Sequence, residues 1–311
     1  MLLILSKVKI LPVKCFLNNE NMTSSEKNTF KALKQLGLSG KFKGSGKNLI
    51  ICLHGWLDNC NSFAPIFAED LNTLDYTWLT IDLPGHGESH WKSHDAHYYF
   101  IDYVYDLKRL IEELDFNKVF LVGHSMGAMI CNLYAACYPE RIAAMSLIDG
   151  IGIVTTKPSD TKQQLLNAFK QRKKSSESLD SKSFRSFDDV VKARMKVSEL
   201  DYDNAELLMK RNTEFVEQGV KLKTDPRLKQ HSGFRFSTAQ ALSCLDGIKT
   251  PTLFIKAEQG YPMIDAQLKL FRDCFQNLTV FVMPGGHHCH MENAAQTLQT
   301  ISSHFDAYNE S

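Results

Sequence analysis

From residue 48 onward the chain alternates between two hydrophobic rhythms. Short apolar runs with little polar alternation occupy residues 49–53, 76–81, 119–122, 143–148, 251–256 and 278–283. Runs of this length predict strands buried on both faces, as in a parallel sheet. Between them, residues 98–114, 128–138, 266–275 and 294–308 carry apolar side chains at helical spacing. The first has Ile101, Val104, Tyr105, Leu107, Ile111 and Leu114 on one stripe, and the second stops at Pro139. Strands alternating with helices predict βαβ units and a sheet covered on both faces.

The rhythm breaks in two places. Residues 1–27 read as an N-terminal extension. Residues 7–15 could form a strand, residues 18–27 are polar, and Met22 would also serve as a chain start. Residues 151–250 hold no convincing strand, whereas 163–174, 187–200 and 204–218 read as helices. An insertion between two strands of one sheet predicts a helical lid over the strand carboxyl ends. The expected organisation is therefore an extension (1–27), a core (28–150 and 247–311) and a lid (151–246). Residues 157–196 contain eleven Lys and Arg against five Asp and Glu. That excess reads as a solvated outer face, with an anionic partner or substrate steering as the alternative.

Composition narrows the class. The 311 residues are 43% hydrophobic and 23% charged, which excludes a disordered or fibrous chain. A formal charge of +1 argues against a general nucleic-acid binder. No run approaches the ~18 apolar residues of a membrane span, and residues 2–5 are too short for a signal-peptide core of ~7–15 residues. Eight cysteines form no C-x-x-C pair, and Cys52, Cys131 and Cys137 sit in apolar runs. They read as reduced small hydrophobes, which suggests a cytoplasmic location.

Four loops carry candidate chemistry. Gly123-His124-Ser125-Met126-Gly127 has the G-x-S-x-G form and lies between a strand and a helix, the context that exposes a nucleophilic serine on a strained turn. The Met126 N–H, at a helix start, would face the reacting oxygen. Leu53-His54-Gly55-Trp56 follows the first buried strand, and the Trp56 N–H is the candidate second oxyanion donor. His54 reads as a hydrogen-bonded structural histidine. Asp82 opens the turn-rich Asp82-Leu-Pro-Gly-His-Gly-Glu-Ser89 loop and reads as structural. Pro284-Gly-Gly-His-His-Cys-His-Met-Glu292 follows the last strand. Its histidines and cysteine lack the separated spacing of a metal site, so His287 is expected to be a general base, with His288 and His290 as supporting or packing residues. No metal and no cofactor are expected, since the chain has no G-x-G-x-x-G and no Walker loop.

These four segments, in their order along the chain (from Leu53, Asp82, Gly123 and Pro284), resemble the α/β-hydrolase superfamily. More narrowly, Leu53-His-Gly-Trp-Leu-Asp-Asn59, Leu207-Leu-Met-Lys-Arg-Asn-Thr213, Ile255-Lys-Ala-Glu-Gln-Gly-Tyr261 and His287-His-Cys-His-Met-Glu292 resemble the serine hydrolase-like protein family. The resemblance spans about residues 48–305 and is weaker in the lid. It implies an α/β-hydrolase fold: an eight-stranded, mostly parallel sheet with helices on both faces, a helical lid and a Ser–acid–His triad. By position Ser125 corresponds to the nucleophile and His287 to the base, with the Met126 and Trp56 amides as the oxyanion hole. The chain departs from the pattern at the acid, where Gly260 stands at the usual Asp position. Asp149, at the end of the strand after the nucleophile's helix, is the expected substitute, and Glu258 is the fallback.

The expected function is hydrolysis of a small-molecule carboxylic ester or related acyl bond through an acyl-enzyme. Thioester and carbon–carbon bond hydrolysis use the same parts. A non-catalytic ligand-binding or receptor-like protein is the alternative from another class, favoured by the displaced acid and opposed by the complete serine, histidine and oxyanion set.

Overall fold

The computed structural model describes residues 24–177 and 183–309. The candidate strand at 7–15 and the Met22 start lie outside the described residues. Helix α1 (Ser24–Gln35) crosses the expected core boundary at residue 28 and leads into strand β1 (Ser39–Lys43). Then come β2 (Asn48–Leu53), α2 (Ala64–Ala68), β3 (Tyr76–Asp82), α3 (Phe100–Glu112), β4 (Lys118–His124), α4 (Met126–Cys137) and β5 (Ala144–Ile148). The insertion carries α5 (Thr161–Glu177), α6 (Phe187–Ser198), α7 (Tyr202–Asn212), β6 (Thr213–Val216), β7 (Gly219–Leu222) and α8 (Thr238–Leu245). The chain closes with β8 (Thr252–Ala257), α9 (Met263–Phe271), β9 (Leu278–Met283), α10 (Cys289–Glu292) and α11 (Ala294–Asp306).

Among the described residues the main sheet has seven strands in the order β1-β3-β2-β4-β5-β8-β9. Only β1 runs antiparallel to its neighbour. The alternation of side chains along each strand sends one set to each face. Leu49, Ile51 and Leu53 of β2 pack with α3 and α4 residues such as Leu107 and Ala128. Ile50 and Cys52 point the other way, to Phe63, Phe67, Ile301 and Phe305. Each large side chain buried in this way contributes about 1.5–3 kcal/mol. The registers set Leu53 beside Gly123 and His124 beside Ile148, so the strands finish along one rim.

Three expectations need correction. The helix expected over 204–218 ends at Asn212, because Thr213-Glu-Phe-Val216 pairs with β7 as a hairpin. The insertion is therefore not all-helical. Its β-branched and aromatic residues were masked by a helical spacing that ran straight through them. β9 is an edge strand with Val282 exposed, so its apolar run is not buried on both faces. β1 was not anticipated, since its Lys-rich sequence has the look of a loop and the charges suit an open edge.

The insertion has its own apolar core of Val190, Val191, Leu200, Ala205, Leu208, Met209 and Val220, with Phe184, Phe187 and Met195 against it. Met291 of α10 joins the same cluster. Side-chain caps start its helices: Ser186 accepts from the Asp189 N–H and Asp201 from the Asn204 N–H. Buried cations then tie it to the sheet. Arg211 of α7 donates from Nε to the Asp82 carboxylate at 2.8 Å. Asp82 also accepts the Cys60 and Glu88 N–H groups, both at 2.8 Å. Burial raises the Asp82 pKa, but Arg211 and these bonds hold it below the usual carboxylate value. Asp82 thus joins three chain segments. No helix among the described residues is long and apolar enough to cross a membrane.

Asp82→Asn leaves Arg211 buried without its main counter-charge. We expect a stability loss of about 3 kcal/mol, read as a fall in the urea midpoint at unchanged slope. A loss under about 1 kcal/mol would show that the Asp82 junction does not depend on charge.

Candidate active site

The serine turn follows from crowding between β4, α4 and β2. A Cβ at Gly123 would lie 2.5 Å from the Ala128 nitrogen, and one at Gly127 would lie 2.1 Å from the Leu53 oxygen. Helix α4 can therefore approach the sheet only with glycine at both places. Ser125 is held between them at φ 51°, ψ −113°, a conformation that costs a non-glycine residue about 1–3 kcal/mol. Its N–H donates to the Ile148 carbonyl at 2.9 Å. Its side chain makes no capping bond to α4, so the hydroxyl is not serving as a helix cap. Met126 is the first residue of α4, where backbone N–H groups and the helix dipole favour negative charge.

The loop after β2 is fixed by His54. This buried ring donates from Nδ1 to the Gly55 carbonyl at 2.7 Å and accepts the Leu83 N–H at Nε2 at 3.0 Å. Both nitrogens are used, and burial lowers its pKa, which fits a structural part. Trp56 is half-exposed. Its indole N–H donates to the Leu228 carbonyl of the insertion at 3.1 Å.

His287 lies beyond β9 with Nδ1 2.6 Å from Oδ2 of Asp149. Asp149 is fully buried, at φ 42°. Its N–H donates to the Ile255 carbonyl at 2.8 Å, and its Oδ1 accepts the Ala257 N–H at 3.1 Å. A Cβ at Gly260 would lie 2.6 Å from Asp149 Oδ2. The superfamily's usual acid position and the Asp149 carboxylate therefore compete for the same space. Glu258 is exposed and accepts from the Gln259 side-chain amide at 3.1 Å. The Tyr261 ring packs on His287 with centroids 4.1 Å apart. Burial, opposed by the Asp149 hydrogen bond, pushes the His287 pKa down to about 4.

The other histidines of the segment turn inward. His290 Nε2 meets the Ser62 hydroxyl at 2.8 Å, and His288 Nε2 meets Asp58 Oδ2 at 3.2 Å. His124, inside the serine motif, donates from Nε2 to the His287 carbonyl at 2.9 Å. Asp58 also pairs with Arg194 of α6. Burial raises the Asp58 pKa, but Arg194 and then His288 hold it well below the carboxylate range. Donor atoms of Asp58, His124 and His288 lie within 4.8 Å of one another. Arg194 already supplies the positive charge on that carboxylate, so the trio is better described as an ion-pair network than as a metal centre. Sequence reasoning assigned no role to Asp58 or Arg194. Asp58 stood inside the quoted Leu53–Asn59 segment, whereas no local signal marked Arg194 among the many basic residues of its stretch.

A cavity of about 400 Å³ opens between Leu57 and the insertion. Phe184, Val190, Val197, Met209 and Leu222 make its wall mostly apolar, with Arg194 and Lys229 among the lining residues.

Comparison with known proteins agrees with this architecture. Residues 48–294 match the family model described as alpha/beta hydrolase fold. A serine hydrolase-like protein of Danio rerio is 27% identical over 264 residues, covering 81% of this chain and 80% of that protein. Serine hydrolase-like protein 2 of Homo sapiens is 28% identical over 276 residues, covering 82% and 85%. The crystal structure of hypothetical protein PA1622 from Pseudomonas aeruginosa PAO1 superposes with a TM-score of 0.76 at 33% identity, covering 87% of this chain and 95% of that one. With its parallel sheet, its strained serine turn and a family match over most of its length, the chain belongs to the α/β-hydrolase fold family.

Proposed function

We propose that this protein is a serine hydrolase that cleaves a small-molecule carboxylic ester or related acyl bond through an acyl-enzyme. The observation that carries the reading is the 2.6 Å bond between His287 Nδ1 and Asp149, made beside the strained Ser125. Asp149 is next to Gly150, where a Cβ would lie 2.5 Å from the Ser125 oxygen, so acid and nucleophile backbones are packed against each other. The names of the serine hydrolase-like relatives support the same class.

In this reading ionised Asp149 accepts a hydrogen bond from the Nδ1–H of His287, which fixes the tautomer and leaves Nε2 free to take the Ser125 proton as Ser125 attacks the carbonyl carbon. The Met126 and Trp56 N–H groups hold the oxyanion. His287 returns the proton to the leaving alcohol, and water attacks the acyl-enzyme with His287 again as base. The displaced acid had favoured a non-catalytic protein. That argument weakens because the Asp149 carboxylate fills the space at Gly260. A cytoplasmic setting belongs to the same proposal, on the cysteine composition.

A fluorophosphonate probe should label Ser125, and Ser125→Ala should lose both labelling and turnover of p-nitrophenyl hexanoate. Asp149→Asn is expected to lower kcat on the order of ten-thousandfold, and Glu258→Gln no more than about threefold. Labelling of a peptide without Ser125 would sink the nucleophile, and the reverse ranking of the carboxylates would move the acid to Glu258.

The shared space at Gly260 makes a second expectation. Gly260→Asp alone brings two carboxylates together and should destabilise the fold. Asp149→Gly alone should be nearly inactive. The pair combined should recover kcat/KM to within about tenfold of wild type, since a carboxylate again reaches His287. A double variant as dead as Asp149→Gly would refute the exchange.

The base must be neutral to accept a proton, so activity is lost as pH falls through the free-enzyme pKa of His287. Asp149, His124, His288 and Tyr261 face this ring. With burial holding the pKa at about 4, kcat/KM should stay level from pH 7 to about pH 5 and fall below that. An acid limb centred near the ordinary histidine value of about 6.5 would contradict a desolvated base.

A further inference from the structure

We propose that Asp58 is a positioning residue for His287, acting through His288 while His124 holds the same peptide, and that Arg194 makes this support depend on helix α6. The inference rests on the catalytic reading above. Two contacts converge on the peptide that joins His287 to His288. His124 donates from Nε2 to its carbonyl at 2.9 Å, and the His288 ring is anchored at Asp58 Oδ2 at 3.2 Å. Asp149 holds the His287 ring, but it does not hold this peptide. The Asp58 network does.

The chemistry of the network is specific. The His287 carbonyl can only accept, so His124 carries its proton on Nε2; its Nδ1 lies 3.6 Å from Asp58 Oδ2 and makes no hydrogen bond to it. His288 donates from Nε2 to the same oxygen. Arg194 binds the carboxylate from α6 through Oδ1. Asp58 and His124 are buried to 1% and 0% exposure, so neither charge nor dipole is screened by water. Gly55 permits their approach: a Cβ there would be 3.0 Å from His124 Nδ1 and 3.1 Å from Asp58 Oδ2. The further groups around the cluster are His290, whose ring centroid is 4.3 Å from that of His124, His54 and Tyr261.

The consequence is a second carboxylate, from the loop after β2, supporting the base that Asp149 holds from the end of β5. Because Arg194 belongs to the insertion, a displaced α6 withdraws the counter-charge from Asp58 and loosens the His287 peptide. An error near 1 Å in the position of a base can cost about a hundredfold in rate.

The test compares Asp58→Asn, Arg194→Gln and the double variant on p-nitrophenyl hexanoate, with thermal melting for each. Either single variant leaves an uncompensated buried group and should melt earlier. The double variant removes both charges and should regain most of that stability. Its kcat should nevertheless stay at least tenfold below wild type, with KM within about threefold. A double variant with stability and kcat both restored would make the pair structural only and overturn the proposal, as would Asp58→Asn with near wild-type kcat. Should the variants fail to fold, ¹⁵N NMR of the wild-type histidines decides. Protonation of His288 and His124 at Nε2 supports the network, and a His288 protonated at Nδ1 overturns it. Full activity in Ser125→Ala or Asp149→Asn would instead be a failure of the hydrolase reading.

Discussion

The site depends first on backbone crowding at the carboxyl ends of β2 and β4. With no room for a side chain at Gly123 or Gly127, α4 is drawn against the sheet, and Ser125 must turn through a left-handed conformation between strand and helix. The strain is small against the burial of β4 and α4, which pack almost wholly apolar side chains. A few kcal/mol of local cost is therefore carried by the core, and the turn stays fixed. The α4 start, the Ile148 carbonyl that accepts the Ser125 N–H, and the Asp149 corner that follows it all inherit their positions from that approach.

Around this turn one volume can hold one carboxylate. Asp149 reaches it from β5, and Gly260 leaves it empty from the loop after β8. The chemistry requires a buried acceptor next to the histidine, whereas the chain segment that delivers it is free to vary among neighbouring strand ends. The parallel sheet makes that freedom possible, because its strands all finish on the same rim.

The insertion is joined to the sheet by more than apolar contact. Arg194 reaches a carboxylate in the loop after β2 and Arg211 one at the end of β3, and Met291 of the histidine segment packs in the insertion's own core. Buried ion pairs are poor sources of net stability, because desolvation offsets most of the attraction. Their value here is directional. They permit one seating of α6 and α7 over the strand ends, with the cation of one element matched to the anion of another.

Sequence alone determined the parts whose signals are local. Buried strands announced themselves as apolar runs, α3, α4 and α11 by helical spacing, and the serine turn by its two glycines, of which Gly123 answers to crowding within five residues and Gly127 to the Leu53 backbone across the sheet. Hairpin β6–β7 escaped because helical spacing and strand propensity overlapped there, and edge strand β1 because an exposed edge needs no apolar run. Asp149 could be named as a candidate only because it ended a strand. Its contact with His287, 138 residues on in the chain, depends on the register of β5 against β8 and on the space left by Gly260. The Arg194–Asp58 pair, 136 residues apart, had no signal in the chain at all. Such pairings are decided by tertiary structure, since a charge in sequence says nothing of its partner until packing removes the water between them.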